Sequence, residues 1–159
     1  MGKWVLCRGA VIGDIGVAEG LEDAEVMEAI CPLGGAYGQG YGIVRPMPSA
    51  DFPAWCRAYK AELARHVVPA NEVRCALGAL AYHWMATRGG QNLTEKPVID
   101  CPITRWLAAS GLAGSQAARW HEQCHNGPAP HEASRRFTEW LVDQVVTPSA
   151  TKYPAITGT

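Results

Sequence analysis

A chain of 159 residues with 48 % hydrophobic and 18 % charged residues has apolar material for one ordinary folded domain, which excludes an intrinsically disordered chain. Its formal net charge of −1 excludes a strong global field toward nucleic acid or an anionic membrane, so any nucleic-acid surface must be local. No apolar run approaches the roughly 20 residues of a membrane span. Lys3 is followed by only four apolar residues before Arg8, too few for a signal peptide, so a cytoplasmic protein is expected.

In that compartment the six cysteines (Cys7, Cys31, Cys56, Cys75, Cys101, Cys124) should stay reduced and behave mostly as small core hydrophobes. No pair has CxxC spacing, which excludes a zinc ribbon and a thioredoxin-type motif.

Trp4–Cys7 and Ala10–Ile12 are apolar runs interrupted by Arg8 and Gly9, and suit a short strand or bent hairpin. Glu19–Ile30 follows as a predicted helix. Its carboxylates Glu19, Glu22, Asp23, Glu25 and Glu28 mostly avoid the Leu21, Ala24, Met27 side, as on a solvated acidic face. Cys31-Pro32-Leu33-Gly34-Gly35 stops it. The stretch 34–42 is rich in glycine and predicts a tightly turning loop. No Gly-Lys-Ser/Thr follows, so it is not a phosphate-binding Walker loop, and Gly38 and Gly40 lack the third glycine of a dinucleotide fingerprint. Tyr37 and Tyr41 can either anchor the loop on the core or stack on a ligand.

After Arg45-Pro46-Met47-Pro48, Ser49 or Asp51 can cap a helix that carries Phe52, Trp55, Cys56, Tyr59, Leu63 and Val67 at helical spacing. Pro69-Ala70-Asn71 opens the most regular helix of the chain. Val73, Ala76, Leu77, Leu80, Ala81, Trp84 and Met85 form one broad stripe, which predicts the centre of the core, with His83 beside it in a structural role. Gly89-Gly90-Gln91-Asn92 ends this helix, and 91–101 reads as a loop. Pro102–Ser110 and Ser115–His125 read as two short helices around Gly111. Asn126–Pro130 is a stop, and His131–Val146 a final helix that should bury Ala133, Phe137, Trp140, Leu141 and Gln144 or Val145. Its outer face pairs Glu132 with Arg136 and Arg135 with Glu139.

Two motifs overlap in Ile103–Gly127. The first resembles the helix-turn-helix of bacterial and phage DNA-binding regulators over about 20 residues, one eighth of the chain. The resemblance places Ile103 and Trp106 inward on the first helix, Gly111 at the turn, Leu112 as the plug, and Ala117 and Trp120 inward on the second helix. It implies that Ser115, Gln116 and Arg119 point at DNA, with Arg105 adding to the local positive charge. Gln suits adenine, and Arg suits guanine or phosphate. Such a protein would regulate transcription as a homodimer, and a phage or mobile-element origin would suit it.

The second motif is His121-Glu122-Gln123-Cys124-His125, a literal HExxH. On a helix the two imidazoles can share a zinc while the glutamate activates a water. His131 stands at the spacing of a third ligand in metzincin-type peptidases, although Pro128 takes the place of that family's glycine and no methionine follows. No nucleophile arrangement appears, and no catalytic residue is assigned.

The expected architecture is mainly α: a bundle of five or six helices with a Gly-rich loop and a short N-terminal strand. A single α-rich domain over 1–147, with 1–90 and 101–147 as candidate subregions, precedes a poorly ordered tail at 148–159. The expected function is DNA-binding regulation, without a resident cofactor. The alternatives are a protein-interaction module, which the near-neutral charge favours, and a zinc hydrolase on His121, His125 and His131.

Overall fold

The computed structural model describes residues 17–35, 37–66, 72–88, 97–127 and 129–147. The candidate strand at Trp4–Ile12, the helix boundaries at Pro69–Asn71 and Gly89–Asn92, and the tail from 148 lie outside these residues. The chain is mainly helical. In order come β1 (Val17–Glu19), α1 (Ala24–Ile30), β2 (Tyr37–Gln39), α2 (Phe52–His66), α3 (Ala76–Arg88), a 3-10 turn (Val98–Asp100), α4 (Pro102–Ala109), α5 (Gln116–Asn126) and α6 (Pro130–Val146). No helix among the described residues is long and apolar enough to cross a membrane.

The first helix begins later than its periodicity suggests. Gly20, at φ +73°, ends an extended segment, and Asp23 then caps α1 by accepting from Val26 N–H at 2.9 Å. Residues 17–19 instead form β1, paired in parallel with β2 through the register Val17–Tyr37, Ala18–Gly38 and Glu19–Gln39. Parallel strands need a crossover, and α1 supplies it. The Gly-rich loop folds over Leu21. Leu21 N–H donates to Gln39 O at 3.1 Å, and Gly42 N–H to Leu21 O at 2.8 Å. A Cβ on Gly40 would lie 2.2 Å from the Leu21 carbonyl oxygen, so that backbone approach needs glycine. Tyr37 and Tyr41 are exposed, and the Arg45 guanidinium lies 5.0 Å from the Tyr41 ring centre.

Glu28 departs from the solvated acidic face expected of α1. It is buried, and its Oε1 accepts from the N–H groups of Arg74 at 2.7 Å and Cys75 at 3.1 Å. These donors precede α3 by one and two residues, so a carboxylate from another element caps that helix where its dipole favours negative charge. A Cβ on Gly78 would meet Glu28 Oε1 at 2.0 Å.

The α3 core face also differs from the expected stripe. Ala79, Ala81 and His83 are buried, Leu80 is half-buried, and Trp84 is 44 % exposed. The reason is that α3 packs against α1 and α6 together. Two close neighbours select the small residues Gly78, Ala79 and Ala81, and the large Trp84 ring turns outward.

The main core gathers Val73 and Ala79 with Cys101, Ile103, Trp106 and Leu107, Ala117 and Cys124, and Ala133, Phe137 and Leu141. It therefore draws on both sides of the 89–96 segment. At the end of α6, Gln144 and Val145 are exposed, because the last turn extends past the elements that cover Phe137 and Leu141. In α2, the Phe52, Trp55 and Tyr59 rings stack along the helix at centroid distances of 5.7 and 4.8 Å. None of the described cysteines is in a disulfide, and Cys75, Cys101 and Cys124 are buried while Cys31 is exposed.

Candidate nucleic-acid interface and a buried cysteine-histidine cluster

Helix α4 starts on Pro102, whose fixed φ suits the first helical position. It ends in a Schellman turn. Gly111 takes φ +73°, its N–H donates to Ala108 O at 3.0 Å, and Leu112 N–H donates to Leu107 O at 2.8 Å. Leu112 packs on the core beside this turn. Ser115 then caps α5, its Oγ accepting from Ala118 N–H at 3.2 Å. The Ser115 hydroxyl proton stays available to an outside acceptor.

The two sides of α5 have opposite character. Ala117, His121, Cys124 and His125 are buried, at helical spacings of four, three and one residues. Gln116, Arg119, Glu122, Gln123 and Asn126 are exposed. Of the residues expected to meet DNA, Gln116, Arg119 and Arg105 are exposed and Ser115 is half-buried. The Arg119 guanidinium donates to Gln116 Oε1 at 3.0 and 3.2 Å and to Gly114 O at 3.3 Å, which pre-orders the two side chains. Sequence reasoning missed Gln123 and Asn126 on this face; their spacing from Gln116 and Arg119 was the available signal.

Helix α6 contributes little unpaired positive charge. Arg135 bonds to Glu132 at 2.8 Å and to Glu139 at 2.5 Å, and Arg136 bonds to Glu132 at 2.8 Å. Bonds from Arg135 and Arg136 hold the Glu132 carboxyl down at about 2, so it is ionised at neutral pH.

The HExxH segment takes a form the zinc-hydrolase alternative does not anticipate. His121 and His125 are 1 % and 2 % exposed, with ring centres 4.9 Å apart and planes at 83°. Cys101, from the turn before α4, joins them: one ligand atom from each residue lies within 4.8 Å of the others. His131 is exposed on the first turn of α6 and is not in this group, and Glu122 is exposed on α5. The cluster is enclosed, so no substrate face adjoins the imidazoles. The H-x3-H spacing pointed to the histidine pair, but Cys101 stands twenty residues upstream, outside any short motif.

Burial draws the His121 imidazole down to about 3, with His125 and then His83 lowering it further. It is neutral at physiological pH, with one ring N–H and one lone pair. Among the described residues neither ring nitrogen of His121 has a hydrogen-bond partner. His83 stands against the other components of this core, its Nε2 2.9 Å from Ser134 Oγ and its Nδ1 also without a partner. Both His83 and His121 lie with ring centres 5.2 Å from that of Phe137. The Cys124 thiol donates to Trp120 O at 3.1 Å, and burial pushes it up to about 12, so it is an inert core thiol.

No family model, curated protein or solved structure significantly matches the chain.

Proposed function

We propose that the protein binds duplex DNA through α5, as a regulator of the kind its helix-turn-helix-like segment resembles. The observation that carries the reading is the solvent face of α5: Gln116, Arg119, Gln123 and Asn126, four hydrogen-bonding side chains at i, i+3, i+7 and i+10 with Glu122 the one carboxylate among the exposed residues of that helix. A helix of this width fits the major groove, where Gln and Asn pair with adenine and Arg with guanine. The glycine turn at 111 and the Ser115 cap set the angle and start of that helix on a packed scaffold. Arg105, exposed on α4, and the half-buried Ser115 at the start of α5 carry the chemistry of phosphate contacts.

A titration of labelled duplex, followed by anisotropy at two salt concentrations, tests the reading. Affinity should fall with added salt as counterions are released. Arg119→Ala should weaken binding to a preferred sequence by about 1–3 kcal/mol while the fold is kept. Absence of duplex binding at low salt would overturn the proposal.

The second reading is a protein-interaction module. A shallow groove between α5 and α6, lined by Trp120, Trp140, Arg135, Arg136, Glu139 and Asp143, favours it, because tryptophan and arginine are common anchors of protein contacts. In that case Arg119→Ala has no salt-sensitive duplex affinity to change.

A further inference from the structure

We propose that Cys101 Sγ and one ring nitrogen each of His121 and His125 supply three of the four ligands of a zinc-class divalent ion, with a water as the fourth, in a buried structural site that ties the start of α4 to the second half of α5. This inference is independent of DNA binding.

Three observations converge. The three donor atoms come from separate turns of the fold, yet lie within 4.8 Å of one another. Tetrahedral zinc, with bonds of about 2.0–2.3 Å, brings its donors to roughly 3.3–3.7 Å apart, so the side chains need draw in by only about 1 Å. All three residues are at least 98 % buried. His121 occupies a core position with neither ring nitrogen hydrogen-bonded among the described residues. Leaving such a polar group unsatisfied is costly, and a metal bond to one nitrogen removes part of that cost.

The donor set selects the ion. One thiolate with two neutral imidazoles is a borderline-soft environment, which favours zinc over magnesium or calcium. Binding must release the Cys101 thiol proton, since the thiolate is the ligand. The enclosure decides the role. Catalytic zinc keeps an open position toward substrate, whereas here the imidazoles face the packed core and Glu122 faces solvent. The neighbouring buried thiol at Cys124 donates to Trp120 O and is not among the clustered donor atoms, whereas Cys101 Sγ is.

The test uses the full chain without nucleic acid. Elemental analysis of protein purified without chelator should find one zinc per chain, and chelation should lower its thermal midpoint. Cobalt(II) added to the stripped chain should give a thiolate-to-metal charge-transfer band with the strong visible bands of a tetrahedral site. Cys101→Ser should abolish the charge-transfer band. It should also weaken cobalt binding by more than the roughly 10–100-fold loss typical of an outer-shell change. His131→Ala should leave the band and the affinity unchanged. The wild-type cobalt spectrum is informative even if a variant folds poorly. Failure of the folded wild-type chain to hold one ion, persistence of the charge-transfer band in folded Cys101→Ser, or loss of binding in His131→Ala would each overturn the assignment.

Discussion

Leu21 and Phe137 are both buried, but by different means. Phe137 is wholly enclosed by side chains: the His83, His121 and Trp140 rings lie at centroid distances of 5.2, 5.2 and 5.8 Å from its own. Leu21 is enclosed largely by backbone, with Gly38, Gly40 and Gly42 close against it and two main-chain hydrogen bonds at its own amide and carbonyl. The α4–α6 region is thus held by ring and aliphatic contact, and the β1–α1–β2 region by close backbone approach and by the Glu28 cap on α3. Side-chain packing makes cavity formation the main hazard in the first region. Polar satisfaction and glycine geometry make substitution at a few small or charged residues the hazard in the second.

The largest effect that would sharpen this contrast is Phe137→Ala. It should destabilise the chain by about 3–5 kcal/mol in urea unfolding, because a fully buried ring is replaced by a cavity. A loss below about 1 kcal/mol would break the comparison.

Acid is the next lever on the ring-packed region. Desolvation draws His83 down to about 4, with His125 lowering it too, despite the hydrogen bond to Ser134. The unfolded chain therefore binds a proton near pH 6.5 that the fold resists until about pH 4. Stability is complete above the unfolded value and is lost as pH falls through that window, on the order of 3 kcal/mol in full. Urea midpoints at pH 7.5, 5.5 and 4.5 should fall more steeply for the wild type than for His83→Gln; equal slopes would refute the assignment.

In the backbone-held region, Glu28→Ala should cost about 1.5–3 kcal/mol, since it leaves the Arg74 and Cys75 N–H groups without their charged acceptor. Hydrogen exchange should show the first turn of α3 opening before α5. Ser115→Ala should have the smallest effect, about 1 kcal/mol through the lost α5 cap. A change above that of Glu28→Ala would mean that the α4–α5 turn, not the α1–α3 contact, is the more cap-dependent junction.

Several elements were legible because their cause is local. Gly111 at positive φ, the Ser115 cap, Pro102 opening α4 and the inward Ala133, Phe137 and Leu141 all follow from residue type and spacing. The mainly α class follows from the same periodicities. Glu19 shows where this fails: helical spacing across 19–30 says nothing of a second strand at Tyr37–Gln39 that recruits residues 17–19 into a ladder. The α2 aromatic stripe was legible as helix, but its spacing could not show that the rings stack on one another.

What the sequence by itself determined was the helices, their turns and the H-x3-H pair, because each depends on neighbours a few residues away. Tertiary structure alone decided three things. It turned Glu28 from a surface carboxylate into the cap of α3, across a separation of 46 residues to Arg74. It rotated α3 so that Gly78 meets Glu28 of α1 and His83 meets Ser134 and Phe137 of α6, while Trp84 is 44 % exposed. It also exchanged the partner expected for His121 and His125, leaving His131 in solvent and bringing Cys101 among the imidazoles. In each case the deciding quantity is the distance between segments remote in sequence, and packing sets that distance while periodicity does not encode it.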